Sequence, residues 1–114
     1  MPLLKIQTNA AMDSQKSQSL LKNASQRIAR ALNKPEQYMM VSLEAGLPML
    51  FAGSSEPTAF VELKAIGLPT GKTGELSRLL CEWLEAELGV AKQRVYINFA
   101  DVPAGLWGWN GETF

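Results

Sequence analysis

The 114-residue chain has no histidine and one cysteine, Cys81. The first absence removes the side chain that most often serves as a neutral-pH base and metal ligand; the second rules out an internal disulfide. Zinc centres and Ser-His or Cys-His machinery are excluded, and no metal or other cofactor is expected. Charge of one sign is missing too: Lys+Arg and Asp+Glu number 11 each, and no basic cluster interrupts the balance. Proteins that neutralise phosphates carry such a cluster, so no nucleic-acid partner is expected. No apolar run approaches the ~18 residues of a membrane span, and the apolar run after Met1 is too short for a signal peptide. The chain reads as cytoplasmic by default, with no membrane partner and with a non-classical route of export left open.

What is present suits an ordinary globular protein: 46% hydrophobic and 19% charged residues. A chain of this length forms one domain, residues 1–114, sharing one core. If such a protein moves protons near neutral pH, the base must be a carboxylate, a Lys of depressed pKa, Tyr, Cys or the terminal amine.

The apolar pattern predicts two similar halves. Pro2 to Thr8 alternates, with Leu4 and Ile6 opposite Leu3, Lys5 and Gln7, which predicts a strand. Asp13 or Ser14 then caps a helix carrying Leu20, Leu21, Ala24, Ile28, Ala31 and Leu32 at helical spacing, ended by Asn33 and Pro35. Tyr38 to Leu43 is apolar without strict alternation, as in a strand covered on both faces, and Met49 to Ala52 suggests a further short strand. The second half repeats the order. Ala59 to Ile66 alternates, Thr73 caps a helix with Leu76, Leu79, Leu80, Trp83, Leu84 and Leu88, Gly89 ends it, and Val95 to Ala100 alternates again.

Two strand–helix–strand repeats make an α/β fold: a mixed four-stranded sheet with both helices on one face. The other face carries Phe60, Glu62, Lys64, Ile66, Tyr96 and Asn98, too mixed for a surface shaped by solvent alone. The tail holds Leu106, Trp107, Trp109 and Phe114 without helical period, and these need an apolar surface. Both features predict a subunit interface.

Seven short motifs occur in order: Pro2, Lys-Pro-Glu-Gln-Tyr at 34–38, Gly-Ser-Ser-Glu-Pro at 53–57, Ile66-Gly67, Leu79-Leu80-Cys81, Arg94-Val95-Tyr96-Ile97-Asn98 and Gly108-Trp109-Asn110. With this order and spacing, the chain resembles the macrophage migration inhibitory factor family of the tautomerase superfamily over its whole length. The resemblance implies a homotrimer with the helices outside and active sites at subunit boundaries. It implies Pro2 as general base once Met1 is removed, with Lys34 and the backbone of Ile66 from the same subunit and Tyr96 and Asn98 from a neighbour. Leu3, Tyr38, Lys64, Trp107, Trp109 and Phe114 would form or border the pocket. The implied activity is keto–enol interconversion of a small aromatic 2-oxo acid such as phenylpyruvate.

Other readings stay open at this level. A cytokine-like interaction protein would keep the pocket but bind a protein receptor. Dehalogenation or decarboxylation of small unsaturated acids would need further charged groups around the amine, and no Arg lies near Pro2 in sequence. Lys34 can act simply as a helix-end lysine, and Tyr96 and Asn98 as interface residues. Relatives credited with thiol-disulfide exchange carry Cys-x-x-Cys where this chain has Thr58-Ala59-Phe60-Val61, so that activity is not expected. Trp107 stands where the animal proteins usually have a small aliphatic residue, which predicts a narrower pocket.

Overall fold

Alternation of apolar and polar side chains builds the sheet that carries everything else. The computed structural model describes residues 1–114 and has strands β1 (Leu3–Thr8), β2 (Met40–Glu44), β3 (Ala59–Ala65) and β4 (Val95–Asp101) in the order β2-β1-β3-β4. β1 runs parallel to β2 and β3 parallel to β4, while β1 and β3 pair antiparallel at the centre. Helices α1 (Ser14–Ala31) and α2 (Thr73–Leu88) cross over within the two halves. The expected mixed sheet and twofold repeat are both present.

Leu4 and Ile6 of β1 and Val61, Leu63 and Ala65 of β3 are fully buried in one cluster with Leu20, Ala24 and Ile28 of α1 and Leu76, Leu80 and Leu84 of α2. Both helices therefore cover the same sheet face. Each buried leucine of this kind contributes roughly 1.5–3 kcal/mol on transfer from water. On the opposite face Leu3, Lys5, Gln7, Phe60, Glu62 and Lys64 are half-buried, and Tyr96 and Asn98 are exposed.

Helix ends are set by local chemistry. Asp13 caps α1 by accepting a 2.7 Å hydrogen bond from the Lys16 amide. At the other end Asn33 takes φ 54°, its amide donates to the Arg30 carbonyl, and the Lys34 amide donates to the Ala29 carbonyl at 2.9 Å. This pair of bonds is a Schellman closure with Asn in the left-handed position. Gly89, at φ 68°, ends α2 as its position predicts.

Several sequence expectations need correction. Tyr38 lies in a 3₁₀ turn, Glu36–Tyr38, and β2 starts at Met40; its Met40, Ser42 and Glu44 are exposed, so this edge strand is covered on one face only. Residues 49–52 form no strand, only an isolated bridge between Phe51 and Ser54. Thr73 is the first helical residue, not the cap; its hydroxyl donates to the Thr70 carbonyl in the preceding 3₁₀ turn. Within α1, Leu21 is only half-buried, Ala31 is exposed, and Ala29 takes a core place that the spacing did not mark.

The tail folds back on its own chain. Asn110 and Gly111 both have positive φ, 54° and 78°, and join β5 (Gly108–Trp109) to β6 (Glu112–Thr113). A two-residue Asn-Gly loop of this conformation matches the twist of a hairpin. Its aromatics find partners within the chain: Tyr38 meets Trp109 and Phe114 edge-on at 5.9 and 6.3 Å, and Trp109 stacks on Phe114 at 5.5 Å. No helix is long and apolar enough to cross a membrane.

Candidate active site

Pro2 stands at the mouth of β1, where the chain enters the sheet. Its carbonyl accepts a 3.0 Å hydrogen bond from the Met40 amide, and the residue is fully buried. With its nitrogen unable to donate, proline suits the first position of a strand. Around it opens a pocket of about 630 Å³ whose lining includes Pro2, Leu3, Tyr38, Lys64, Trp107, Trp109 and Phe114. Seven residues expected at the site thus converge here from four parts of the chain.

Three devices shape the walls. Register sets Lys64 directly across from Leu3, so the lysine reaches the pocket from the open sheet face, with Glu62 3.5 Å from its ammonium. The 3₁₀ turn after Pro35 carries Tyr38 to the rim. The hairpin, tied by a 3.2 Å bond from the Phe114 amide to the Trp107 carbonyl, brings in the tail aromatics. Each edge-to-face or stacked pair contributes about 0.5–1.5 kcal/mol beyond area burial, enough to hold a short tail in place.

Lys34 and Ile66 do not line this pocket, but they lie near it and near each other. The Schellman closure of α1 places Lys34 so that its Nζ is 4.0 Å from where a β-carbon on Gly67 would sit. The Ile66-Gly67 turn is fixed in its own right: Leu68 donates to the Asp101 carboxylate at 3.1 Å, and Val102 donates to the Ala65 carbonyl at 2.9 Å.

Electrostatics at the chain start follow from this placement. The terminal amine, here that of Met1, has a pKa held below its ordinary value, first by burial and then by the positive charge of Lys34. Both causes disfavour the protonated form. When Met1 is removed, the terminal amine becomes the Pro2 ring nitrogen, one residue deeper in the same environment.

Tyr96 and Asn98 are not brought to this pocket within one chain. Register puts Tyr96 level with Phe60 and Gln7, four residues along the strands from the Leu3–Lys64 row, and Asn98 level with Glu62 and Lys5, two residues along. Both point out of the uncovered sheet face, and Tyr96 is 65% exposed. Its ring packs edge-on against Phe51 at 4.8 Å.

Sequence reasoning missed several wall residues: Gln37, Met39 and Met40 from the segment after Pro35, and Val102 and Leu106 from the start of the tail. Leu106, next to Gly105, was a large apolar residue beside a turn former, whereas Met40, between Met39 and Val41, carried no such mark; the structure leaves the two 77% and 65% exposed. The Asn110-Gly111 loop was a direct hairpin cue and predicts the returning tail.

Taken together, the fold and pocket define a class: small α/β proteins of two βαβ halves, with an aromatic-walled pocket around Pro2 at the entry to the first strand. Residues 1–114 match the family model described as "Macrophage migration inhibitory factor (MIF)". The chain is 38% identical over its whole length to the macrophage migration inhibitory factor of Meriones unguiculatus and 39% identical to the homolog of Brugia malayi, covering 99% of each. Its structure matches the crystal structure of the homologue from Prochlorococcus marinus with a TM-score of 0.92 at 48% identity, over 98% of both chains. The chain belongs to the macrophage migration inhibitory factor family, and hence to the tautomerase superfamily.

Proposed function

We propose that the chain is a tautomerase for aromatic 2-oxo acids of the phenylpyruvate type, with the freed amine of Pro2 as general base. The observation that carries this reading is the chain start: a terminal amine with a lowered pKa at an aromatic-lined pocket of about 630 Å³. A base works best when its pKa is near the ambient pH, and burial beside a cation moves an α-amine in that direction.

In the forward direction the Pro2 nitrogen takes a proton from the carbon next to the ketone. The C–H electron pair becomes the carbon–carbon double bond of the enol, and the carbonyl π pair moves to oxygen. Protonated Pro2 then returns the proton to that oxygen, so the amine is regenerated and no co-reactant is consumed. Lys34, with the Ile66 backbone, stabilises the charge on oxygen or holds the substrate carboxylate. Trp107, Trp109, Tyr38 and Phe114 hold the aromatic ring, and Lys64 adds a second cation at the pocket.

The same reading includes a homotrimer. Tyr96 and Asn98 stand two apart on β4, project from the uncovered face and lie away from their own chain's pocket. A neighbouring subunit's pocket is where they would orient substrate.

A second reading, signalling by protein contact, is favoured by the names of the relatives. The discriminating experiment is an enol–ketone assay on phenylpyruvate with the native chain and Pro2→Gly, after intact mass has established that Met1 is absent. Activity in the native protein and its loss in an assembled Pro2→Gly variant are expected. Full activity in the variant, or a retained Met1 in an active enzyme, defeats the reading.

A further inference from the structure

Arg94 is the side chain with the most hydrogen bonds in the molecule, and all of them go to one loop. Its Nε donates to the Pro57 carbonyl at 2.9 Å, one terminal nitrogen donates to the Phe51 carbonyl at 3.2 Å, and the other donates to the Ser54 and Glu56 carbonyls at 3.0 and 3.1 Å. Its guanidinium carbon also lies 5.3 Å from the centre of the Phe51 ring. That same ring meets the Tyr96 ring at an angle of 71°, and Tyr96 lies on β4 two residues beyond Arg94, which ends the 3₁₀ turn before that strand. The planar fork of five donors is what makes this possible, since a lysine ammonium cannot span four carbonyls spread over seven residues.

We infer that Arg94 is a positioning residue for the site: by gripping residues 51–57 it seats Phe51 against Tyr96 and so sets the direction of the tyrosine ring. The inference rests on the reading above in which Tyr96 serves the pocket of a neighbouring subunit. On the sheet's uncovered face the 65% exposed Tyr96 has no hydrogen bond to hold it and Phe51 as its only ring partner. Without the clamp, the ring has two free side-chain torsions to order when substrate arrives. A pre-set ring avoids that ordering cost, which falls on substrate binding rather than on proton transfer.

The loop has a second support, and it supplies the control. The Asn9 side chain donates to the Ser55 and Glu56 carbonyls at 3.0 and 3.1 Å and accepts from the Thr58 amide at 2.9 Å. Asn9 therefore shares the Glu56 carbonyl with Arg94 but makes no hydrogen bond to Phe51. Of the two supports, only Arg94 bonds the Phe51 carbonyl, so replacing Asn9 removes loop bonds without removing that one.

The test uses the full assembled protein with ¹³C-labelled tyrosine, of which the chain has only two, Tyr38 and Tyr96. In Arg94→Lys the Tyr96 ring signals, displaced by the Phe51 ring in the native protein, move toward free-tyrosine positions. KM for phenylpyruvate rises about three- to tenfold with kcat nearly unchanged, as expected when an orienting contact is lost before the chemical step. Phe51→Leu, which keeps all four carbonyl bonds, gives the same KM rise, and Asn9→Ala gives neither change. Native Tyr96 signals in Arg94→Lys, displaced signals with native KM, or an equal effect of Asn9→Ala would each overturn the inference. If the native protein has no tautomerase activity, the functional reading falls, and the Tyr96 signals still decide whether Arg94 sets the ring.

Discussion

The ammonium of Lys34 sits over the backbone of Gly67, 4.0 Å from the place a β-carbon there would occupy. This contact joins the end of α1 to the end of β3, so one positive charge is delivered to the chain start by two turns distant in sequence. Gly67 has φ 69°, a region that L side chains rarely adopt. Gly67→Ala is expected to lose about 1–2 kcal/mol from the backbone alone, since the added carbon meets Lys34 at ordinary contact distance. A urea melt measures it, and unchanged stability would show that the turn relaxes.

Lys34 also governs titration. Its charge is the second cause lowering the Met1 amine's pKa, after burial, and the same charge would act on the Pro2 amine once Met1 is removed, leaving more free base at a given pH. Lys34→Gln removes that cause, so the amine's pKa rises and the free base appears at higher pH. The measurement is the pH dependence of acylation of the terminal amine, which involves no substrate. The rising limb of kcat/KM against pH moves the same way. A profile that stays put, or moves toward acid, contradicts the assignment.

Trp107 lines the pocket. Trp107→Ala is expected to raise kcat/KM for a bulkier indolyl 2-oxo acid relative to phenylpyruvate by about tenfold, equivalent to ~1.4 kcal/mol of differential transition-state binding. Competition between the two substrates reads the ratio directly, and an unaltered ratio places the specificity elsewhere.

Leu80 is completely buried between α2 and the sheet. Truncation to alanine leaves a cavity among Leu63, Leu84 and their neighbours and should cost about 2–5 kcal/mol of unfolding free energy. In contrast, Leu106→Ala, at 77% exposure in the single chain, should cost little stability in a monomer. If Leu106 lies under a neighbouring subunit, the same change weakens assembly instead, which sedimentation of the 12.5 kDa chain as a trimer or monomer detects.

Most of the fold was legible because its signals are local and periodic. The period-2 pattern of Leu4 and Ile6, the helical stripe through Leu76, Leu80, Trp83 and Leu84, the cap at Asp13 and the stop at Gly89 each require only the residue's own neighbourhood. Errors fell where tertiary context outweighs local preference. Tyr38 has strand propensity, yet the turn after Pro35 takes it to the pocket rim, and the Phe51 carbonyl accepts from Ser54 within its own loop and from Arg94 in the 3₁₀ turn before β4 rather than from a neighbouring strand. Trp109 and Phe114, read as tail aromatics in need of an apolar surface, are folded onto Tyr38 by the Asn110-Gly111 loop and still stay exposed in the single chain.

The sequence by itself determined the two βαβ halves, the core faces of the helices, the proline after Met1 and membership of a family, because periodicity and ordered motifs survive in one dimension. Only the tertiary structure decided that Lys34 meets the turn at Gly67, and by which register and turns Lys64 and the tail aromatics reach Pro2 while Tyr96 faces away. Those relationships depend on strand register and on turns closing over long stretches of chain, where a shift of one residue would put every side chain on the opposite face of the sheet.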